Sequence, residues 1–189
     1  MNIRKAAIIM VCIYVSSGLQ AMEIAGVNLE DKIQLTPDGP VLVLNGAGIR
    51  EKFFFNIYVA ALYLPKKSNL AAEILTMPGA KRATMHFLHD EVSKEKLVAA
   101  WIEGFENNQS QAEMNKLRGR LDRFNGFFRT VHRGDVIVLD YIPDIGTSVN
   151  VKGVKKGVIP GDDFSRALLS VWLGNEPADS DLKYGLLGE

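Results

Sequence analysis

The chain has 189 residues, 47% of them hydrophobic, and its 22 basic residues balance its 22 acidic ones. This apolar content excludes an intrinsically disordered protein, and the length suits one domain with a sizeable core. The balanced charge argues against nucleic acid as a partner, because a nucleic-acid-binding surface is basic.

The first 21 residues have the pattern of a secretory signal peptide. Arg4 and Lys5 precede an apolar segment over residues 6–15, and small residues follow as far as Ala21. About ten apolar residues are too few to cross a bilayer as a helix. We therefore expect a signal peptide over 1–21, cleavage near Ala21, and a periplasmic or secreted protein with no membrane span after cleavage. An uncleaved N-terminal anchor is the alternative.

Cleavage at this point would remove Cys12, the only cysteine of the chain. The exported protein would then have no thiol and no disulfide framework. Residues 22–189 contain no repeat or linker, so we expect them to form a single domain.

The first half of this domain has the pattern of strands with one short helix. Apolar alternation over 22–35 predicts a hairpin or edge strands, which the Pro-Asp-Gly-Pro segment at 37–40 ends. The predicted elements that follow are a strand at Val41–Leu44, a turn or bulge at 45–48, a long strand at Phe53–Leu64, a helix at Leu70–Met77 and a strand at Lys81–Leu88.

The second half alternates blocks of helices and strands. Ser93 can cap a helix with one apolar face, and a second helix is predicted from about Gln111 to Phe128. Strands are predicted at Asp135–Tyr141, Thr147–Val151 and Val154–Ile159, then a helix opened by residues 160–163 and ended by Gly174, and a short docked segment at Asp179–Leu187. Because the links between the later strands are too short for helical crossovers, the class is α+β with an at least partly antiparallel sheet.

The long strand is apolar on both faces, so it needs a cover on each side, which helices, a second sheet or an apolar ligand can supply. Its polar exceptions are Asn56 and Tyr58, which share a parity. Arg50 shares that parity if the chain stays extended between them. The pattern resembles a polar handle at the end of an apolar slot. The alternative is a structural cation at a strand end, paired with a carboxylate, with Tyr58 as a core aromatic residue.

Two stretches resemble the chalcone isomerase-like family. The first is Gly-Ala-Gly-Ile-Arg at 46–50 with the strand ending Tyr-Val-Ala-Ala-Leu-Tyr-Leu at 58–64. The second runs from Arg-Gly-Asp at 133–135, through Ile-Pro-Gly-Asp-Asp-Phe at 159–164, to Trp-Leu-Gly at 172–174. The resemblance covers most of 22–189 and is greatest to exported bacterial members. It implies a long curved, mainly antiparallel sheet packed by helices, with a ligand cleft between them.

The resemblance also implies roles for individual residues. In the family's fatty-acid-binding branch, an arginine and a tyrosine hold the carboxylate, and they correspond to Arg50 and Tyr58. In the catalytic plant enzymes the arginine corresponds to Arg50. The other catalytic positions hold different residue types here: the threonine corresponds to Tyr58, the catalytic tyrosine falls near His89, and the asparagine falls near Lys96. These departures disfavour isomerase chemistry, although Arg50 alone could polarise a carbonyl.

Other titratable clusters have simpler interpretations. His86, His89 and His132 do not form a metal-ligand pattern, so no metal is predicted. The acidic pairs Asp90-Glu91 and Asp162-Asp163, like the segment 179–181, fall at predicted helix starts, where carboxylates cap helices. No phosphate loop, nucleophile elbow or Cys/His pair occurs, so no cofactor is predicted.

Three hypotheses follow. The first is a non-catalytic exported protein that binds a fatty acid or a similar amphipathic carboxylate, with Arg50, Tyr58 and Asn56 as ligand-binding residues. The second is a chalcone isomerase-type intramolecular lyase, acting on an enone or flavonoid-like substrate through Arg50. The third is a scaffold whose cleft is filled by its own side chains and which acts by protein contact.

Overall fold

The structure is a computed structural model that describes residues 21–189. The predicted signal peptide, apart from Ala21, lies outside the described residues. Within this range the strands are β1 (Ala21–Ile24), β2 (Val27–Glu30), β3 (Lys32–Gln34), β4 (Val41–Lys52), β5 (Phe55–Leu64), β6 (Lys81–Phe87), β7 (Glu91–Val92), β8 (Val131–His132), β9 (Val136–Ile142), β10 (Gly146–Val151) and β11 (Val154–Ile159). The helices are α1 (Ala71–Thr76), α2 (Lys94–Asn108), α3 (Gln111–Asn125), α4 (Asp162–Leu173) and α5 (Ser180–Leu187).

The main sheet has seven strands in the order β11-β10-β9-β6-β5-β4-β3, and every neighbouring pair is antiparallel. The sheet is curved and the helices pack against it, as predicted. Short turns join β4 to β5, β9 to β10 and β10 to β11, which is why these pairs are antiparallel. The predicted α+β class is confirmed.

The long strand β5 is covered on both faces by the protein itself. Tyr58 and Leu62 lie in the larger core, which contains residues of α2, α3 and α4. Val59 and Ala61 lie on the opposite face, in a smaller cluster with Leu29 of the β1–β2 hairpin. The N-terminal hairpin is therefore the second cover that a strand apolar on both faces requires.

The predicted elements of the second half are largely confirmed. Ser93 caps α2 by accepting a hydrogen bond from the Lys96 N–H, and α4 ends at Gly174. The prediction for Asp90-Glu91 was wrong, because these residues do not start a helix. Glu91 belongs to the short strand β7, which pairs with β8, and Asp90 pairs with the Arg133 guanidinium.

The main difference from the sequence prediction lies in residues 41–56. Of the two alternatives predicted for 45–48, a turn or a bulge, the structure has the bulge. Strand β4 runs without a break from Val41 to Lys52, with register shifts between Leu44 and Gly46 and between Arg50 and Glu51. The chain reverses at Phe53-Phe54 instead. A run of aromatic residues favours a strand, so sequence periodicity placed Phe53 and Phe54 inside β5.

The bulge in β4 is the docking point of α5. The buried Asn45 side chain donates to the Leu186 carbonyl at 2.7 Å and accepts from the Ser68 N–H at 2.8 Å. A Cβ at Gly46 would overlap the Gly185 carbonyl oxygen. This position therefore requires glycine so that the helix backbone can approach the strand.

We predict that Gly46→Ala destabilises the protein by about 3 kcal/mol, because the added methyl group meets backbone atoms that cannot rotate away. Urea denaturation followed by circular dichroism measures this change. Gly119→Ala is the matched control, since nothing lies within 4 Å of a Cβ at Gly119 on α3. We expect that control to stabilise the protein by about 1 kcal/mol. Equal stability of wild type and Gly46→Ala would contradict the close packing of α5.

The turn between β4 and β5 has an unusual composition. Phe53 and Phe54 have φ values of 51° and 68°, in the left-handed region, as both central residues of a type I′ hairpin turn require. Asn-Gly is the preferred pair in such turns, whereas a bulky residue is strained there. Both phenylalanine side chains are also exposed. Neither the backbone geometry nor burial explains why phenylalanine occupies these positions.

We predict that the double variant Phe53→Asn, Phe54→Gly stabilises the protein by about 1–2 kcal/mol, because it relieves left-handed strain. Urea denaturation would show a higher midpoint at an unchanged slope. The control Phe53→Ala, Phe54→Ala removes the rings but keeps Cβ atoms at the strained positions. A stabilisation as large in the alanine control would contradict the role of backbone strain.

Candidate functional site

Arg50 and Tyr58 face each other across β4 and β5. Their Cα atoms are register partners in this antiparallel pair, and the guanidinium carbon lies 5.8 Å from the centre of the Tyr58 ring. The sequence argument placed both side chains on the same face by counting residues along one extended strand. The structure brings them together across the strands instead, because the chain turns back between them.

Tyr58 is buried, and its hydroxyl oxygen accepts a hydrogen bond from the Trp172 Nε1–H at 2.9 Å. Its ring also makes an edge contact with Phe87, at 5.6 Å between ring centres. Burial raises the pKa of the Tyr58 phenol, against the opposing effect of the nearby Arg50 charge. The phenol therefore stays neutral at physiological pH and retains a proton that it can donate.

Arg50 is half-buried, and its Nε atom is buried without a hydrogen-bond partner. Within residues 21–189 the Arg50 guanidinium makes no ion pair. The nearby carboxylates, among them Asp179, which accepts from the Glu51 N–H, thus lie beyond ion-pair distance of this guanidinium. A buried donor without an acceptor is unfavourable, and an anionic ligand would remove this cost.

Two cavities adjoin Arg50. The outer one is a groove of about 230 Å³ between the end of β4, helix α2 and the segment before α5. The inner one measures about 20 Å³, which is room for about one water molecule. The groove is lined by Arg50, Glu51, Lys52, Ala100, Glu103, Gly104, Asn107, Glu176, Pro177 and Ala178; the inner cavity is lined by Arg50, Tyr58, Met85, Leu97, Ala100, Trp101, Val171 and Ala178. Arg50 therefore lies between the outer groove and the core.

The other predicted site residues lie elsewhere. Asn56 is exposed near the end of the β4–β5 hairpin, opposite Glu51, and it lines neither cavity. The His89 ring lies 5.4 Å from the Phe55 ring between centres, tilted by 59°, and Lys96 is exposed on α2. Of the positions to which the resemblance assigns catalytic groups, Tyr58 thus faces Arg50, whereas His89 and Lys96 line neither cavity. A ligand-binding role for Asn56 remains a prediction.

Sequence reasoning missed the residues that complete the site. Trp172 lies 114 positions after Tyr58 and reaches it only because α4 packs on the sheet. Asp179 accepts hydrogen bonds from the Leu182 N–H, as the cap of α5, and from the Glu51 N–H next to Arg50. The helix-capping pattern predicted the first of these contacts. The second depends on tertiary structure alone.

The profile of the chalcone isomerase-like family matches residues 21–188. This chain belongs to the chalcone isomerase-like family. Among solved structures it resembles the crystal structure of an Arabidopsis thaliana fatty-acid binding protein, with a TM-score of 0.69 and 16% sequence identity over 89% of this chain and 96% of that one. At this identity the likeness shows the fold. A search of curated proteins found no match.

Two structural findings complete this description. Residues 21–189 contain no helix that is both long and apolar enough to cross a membrane. Over the same range, His, Cys, Asp and Glu side chains form no group of three or more that could hold a metal ion.

We predict that Tyr58→Phe destabilises the protein by about 1–3 kcal/mol, because the buried Trp172 Nε1–H loses its acceptor. Thermal and urea unfolding measure the loss. The matched control is Tyr184→Phe, which removes an exposed hydroxyl and should change stability little. The double variant Tyr58→Phe, Trp172→Phe should lose less stability than the sum of the two single variants, and strictly additive losses would contradict a direct Tyr58–Trp172 interaction.

Proposed function

We propose that this protein binds a fatty acid or a similar amphipathic carboxylate, without catalysing a reaction, and that Arg50 holds the carboxylate. The observation that carries the proposal is a half-buried guanidinium with a buried, unpartnered Nε at the inner end of a groove. Membership of the chalcone isomerase-like family and the shared fold with a fatty-acid binding protein support it.

The chemistry of the Arg50–Tyr58 pair suits a carboxylate. A guanidinium presents parallel N–H donors that match the two oxygens of a carboxylate, and such charge-assisted bonds are stronger than neutral ones. The neutral Tyr58 phenol, already an acceptor for Trp172, has one proton left to donate. Together the two side chains provide a positive charge and oriented hydrogen-bond donors for one anionic head group.

The hydrocarbon chain has two routes from this head group. The groove offers apolar contact with Ala100, Pro177 and Ala178. The inner route leads towards Met85 and Trp101, where the cavity of about 20 Å³ is too small for a chain. A long-chain ligand that took the inner route would therefore have to separate α2 and α4 from the sheet. Because only molecules with an open core would bind such a ligand, the apparent affinity would equal the intrinsic affinity multiplied by the fraction of open molecules.

The proposal of a non-catalytic protein rests on the groups that surround Arg50. His89 and Lys96, at the positions that resemble those of catalytic groups, line neither cavity. Arg50 can polarise a carbonyl, but ring closure also needs a positioned nucleophile and a proton transfer. We also propose export from the cytoplasm, on the strength of the N-terminal sequence pattern.

We predict that native mass spectrometry of the purified protein detects bound fatty acid at one equivalent. Arg50→Ala should weaken binding about tenfold to hundredfold, because it removes charge-assisted hydrogen bonds. Arg50→Lys should give an intermediate affinity, since an ammonium keeps the charge but not the fork. Arg118→Ala is the control, because Arg118 is an exposed arginine of α3 outside both cavity linings.

Comparison of ligands separates the three hypotheses. Fatty alcohols of equal length should bind much more weakly than the acids, because Arg50 recognises the carboxylate. Binding that is unchanged in Arg50→Ala, or equal for acid and alcohol, would contradict the proposal. No bound ligand at any chain length would favour the scaffold. Ring closure of a chalcone well above the spontaneous rate, lost in Arg50→Ala, would favour the isomerase.

A further inference from the structure

The end of the sheet at the β4–β5 turn exposes a cluster of aromatic rings. Phe53 is 79% exposed, Phe54 is fully exposed, and Phe55 is 59% exposed. Lys52 precedes them, with its Nζ 5.9 Å from the centre of the Phe53 ring. All residues from 51 to 56 are exposed, so this hairpin projects beyond the helices that cover the rest of β5. Consecutive exposed phenylalanines on a projecting turn are typical of an interaction surface.

A second turn lies at the same end of the sheet. Successive antiparallel pairing from β5 through β6, β9 and β10 places the β10–β11 turn on the side of the β4–β5 turn. This second turn exposes Val154, followed by the exposed Lys155 and Lys156. The sheet end therefore combines projecting apolar groups with unpaired cations.

Several carboxylates at this end are already paired. Asp135 contacts Lys152 at 2.6 Å, and Asp90 contacts Arg133 at 2.8 Å. Lys52, Lys155 and Lys156 make no ion pair within residues 21–189. Glu51 of the same hairpin is also exposed and makes no ion pair within this range, so the three lysines leave a net positive charge available to an anionic surface.

The shape and size of the cluster favour a lipid bilayer over a protein partner. Each of the three phenylalanines can bury at most about 150–250 Å². Even together they bury less than the roughly 800 Å² that each partner buries in a stable protein interface. The cluster is also convex, whereas a docking groove is concave. Aromatic residues beside cations are the composition that inserts at a membrane interface.

We propose that this protein docks on a lipid bilayer through Phe53 and Phe54, with Lys52, Lys155 and Lys156 facing anionic head groups. The strained turn supports this assignment. Phe53 and Phe54 are unfavourable at their left-handed positions, and a function that uses their exposed rings explains why they occur there. The groove beside Arg50 begins at Lys52, so docking would place its mouth next to the bilayer. Docking itself does not depend on ligand binding by Arg50.

Tryptophan fluorescence tests the position of the docking surface in the full chain. The native Trp101 and Trp172 are buried, so they respond little to lipid. Phe54→Trp should show a blue shift and quenching by bromolipids when vesicles of equal phosphatidylcholine and phosphatidylglycerol are added. The control Ile145→Trp places the probe on an exposed residue in the β9–β10 turn, at the opposite end of the sheet. It should show neither effect.

Vesicle co-sedimentation measures the contribution of the rings. The variant Phe53→Asn, Phe54→Gly should partition at least about tenfold less, since two apolar side chains no longer enter the interface. Unfolding does not confound this result, because the same variant is expected to be more stable than wild type. Lys155→Glu, Lys156→Glu should remove the preference for phosphatidylglycerol over pure phosphatidylcholine vesicles.

Three results would overturn the proposal: an unchanged Phe54→Trp spectrum with vesicles, an equal response of Ile145→Trp, or undiminished partitioning of the Phe53→Asn, Phe54→Gly variant. A concentration-dependent shift of Phe54→Trp without lipid would assign the cluster to a second copy of the chain instead. Arg50→Ala should leave vesicle binding unchanged. A failure of docking is therefore separable from a failure of carboxylate binding.

Discussion

The pairing of Arg50 with Tyr58 across β4 and β5 is the contact on which the candidate site depends. It holds a cation over the face of a buried phenol, and Trp172 fixes that phenol from the helical layer. A half-buried guanidinium whose Nε has no hydrogen-bond partner is unfavourable unless something else compensates for it. The ring of Tyr58 compensates in part. A bound carboxylate would complete the compensation, which links the energetics of the fold to the proposed ligand.

The C-terminal helix maintains this geometry from the side of β4. The bulge at Asn45-Gly46 accepts α5 at close range, and the capping Asp179 bonds to the Glu51 N–H, one residue from Arg50. The strand is therefore fixed on both sides of the guanidinium. This arrangement explains why an apparently peripheral helix of eight residues matters for the site.

The core beside Arg50 is closed, with room for one water molecule, whereas the outer groove is open. A hydrocarbon chain that entered the core would thus displace the protein's own side chains, whereas one that stayed in the groove would leave the core packed. The exposed Phe53 and Phe54 lie on the strand pair that carries Arg50.

The sequence by itself determined the α+β class, the antiparallel sheet, the cap of α2 and the start of α4, and it singled out Arg50 and Tyr58 as candidate site residues, because periodicity, capping and charge are local signals. Tertiary structure alone decided the reversal at Phe53-Phe54, the Trp172–Tyr58 bond, the unpartnered Nε of Arg50 and the nearly filled cavity. These features depend on contacts between residues far apart in the chain and on how completely side chains fill space. Neither quantity is encoded in a local pattern, so only packing could settle them.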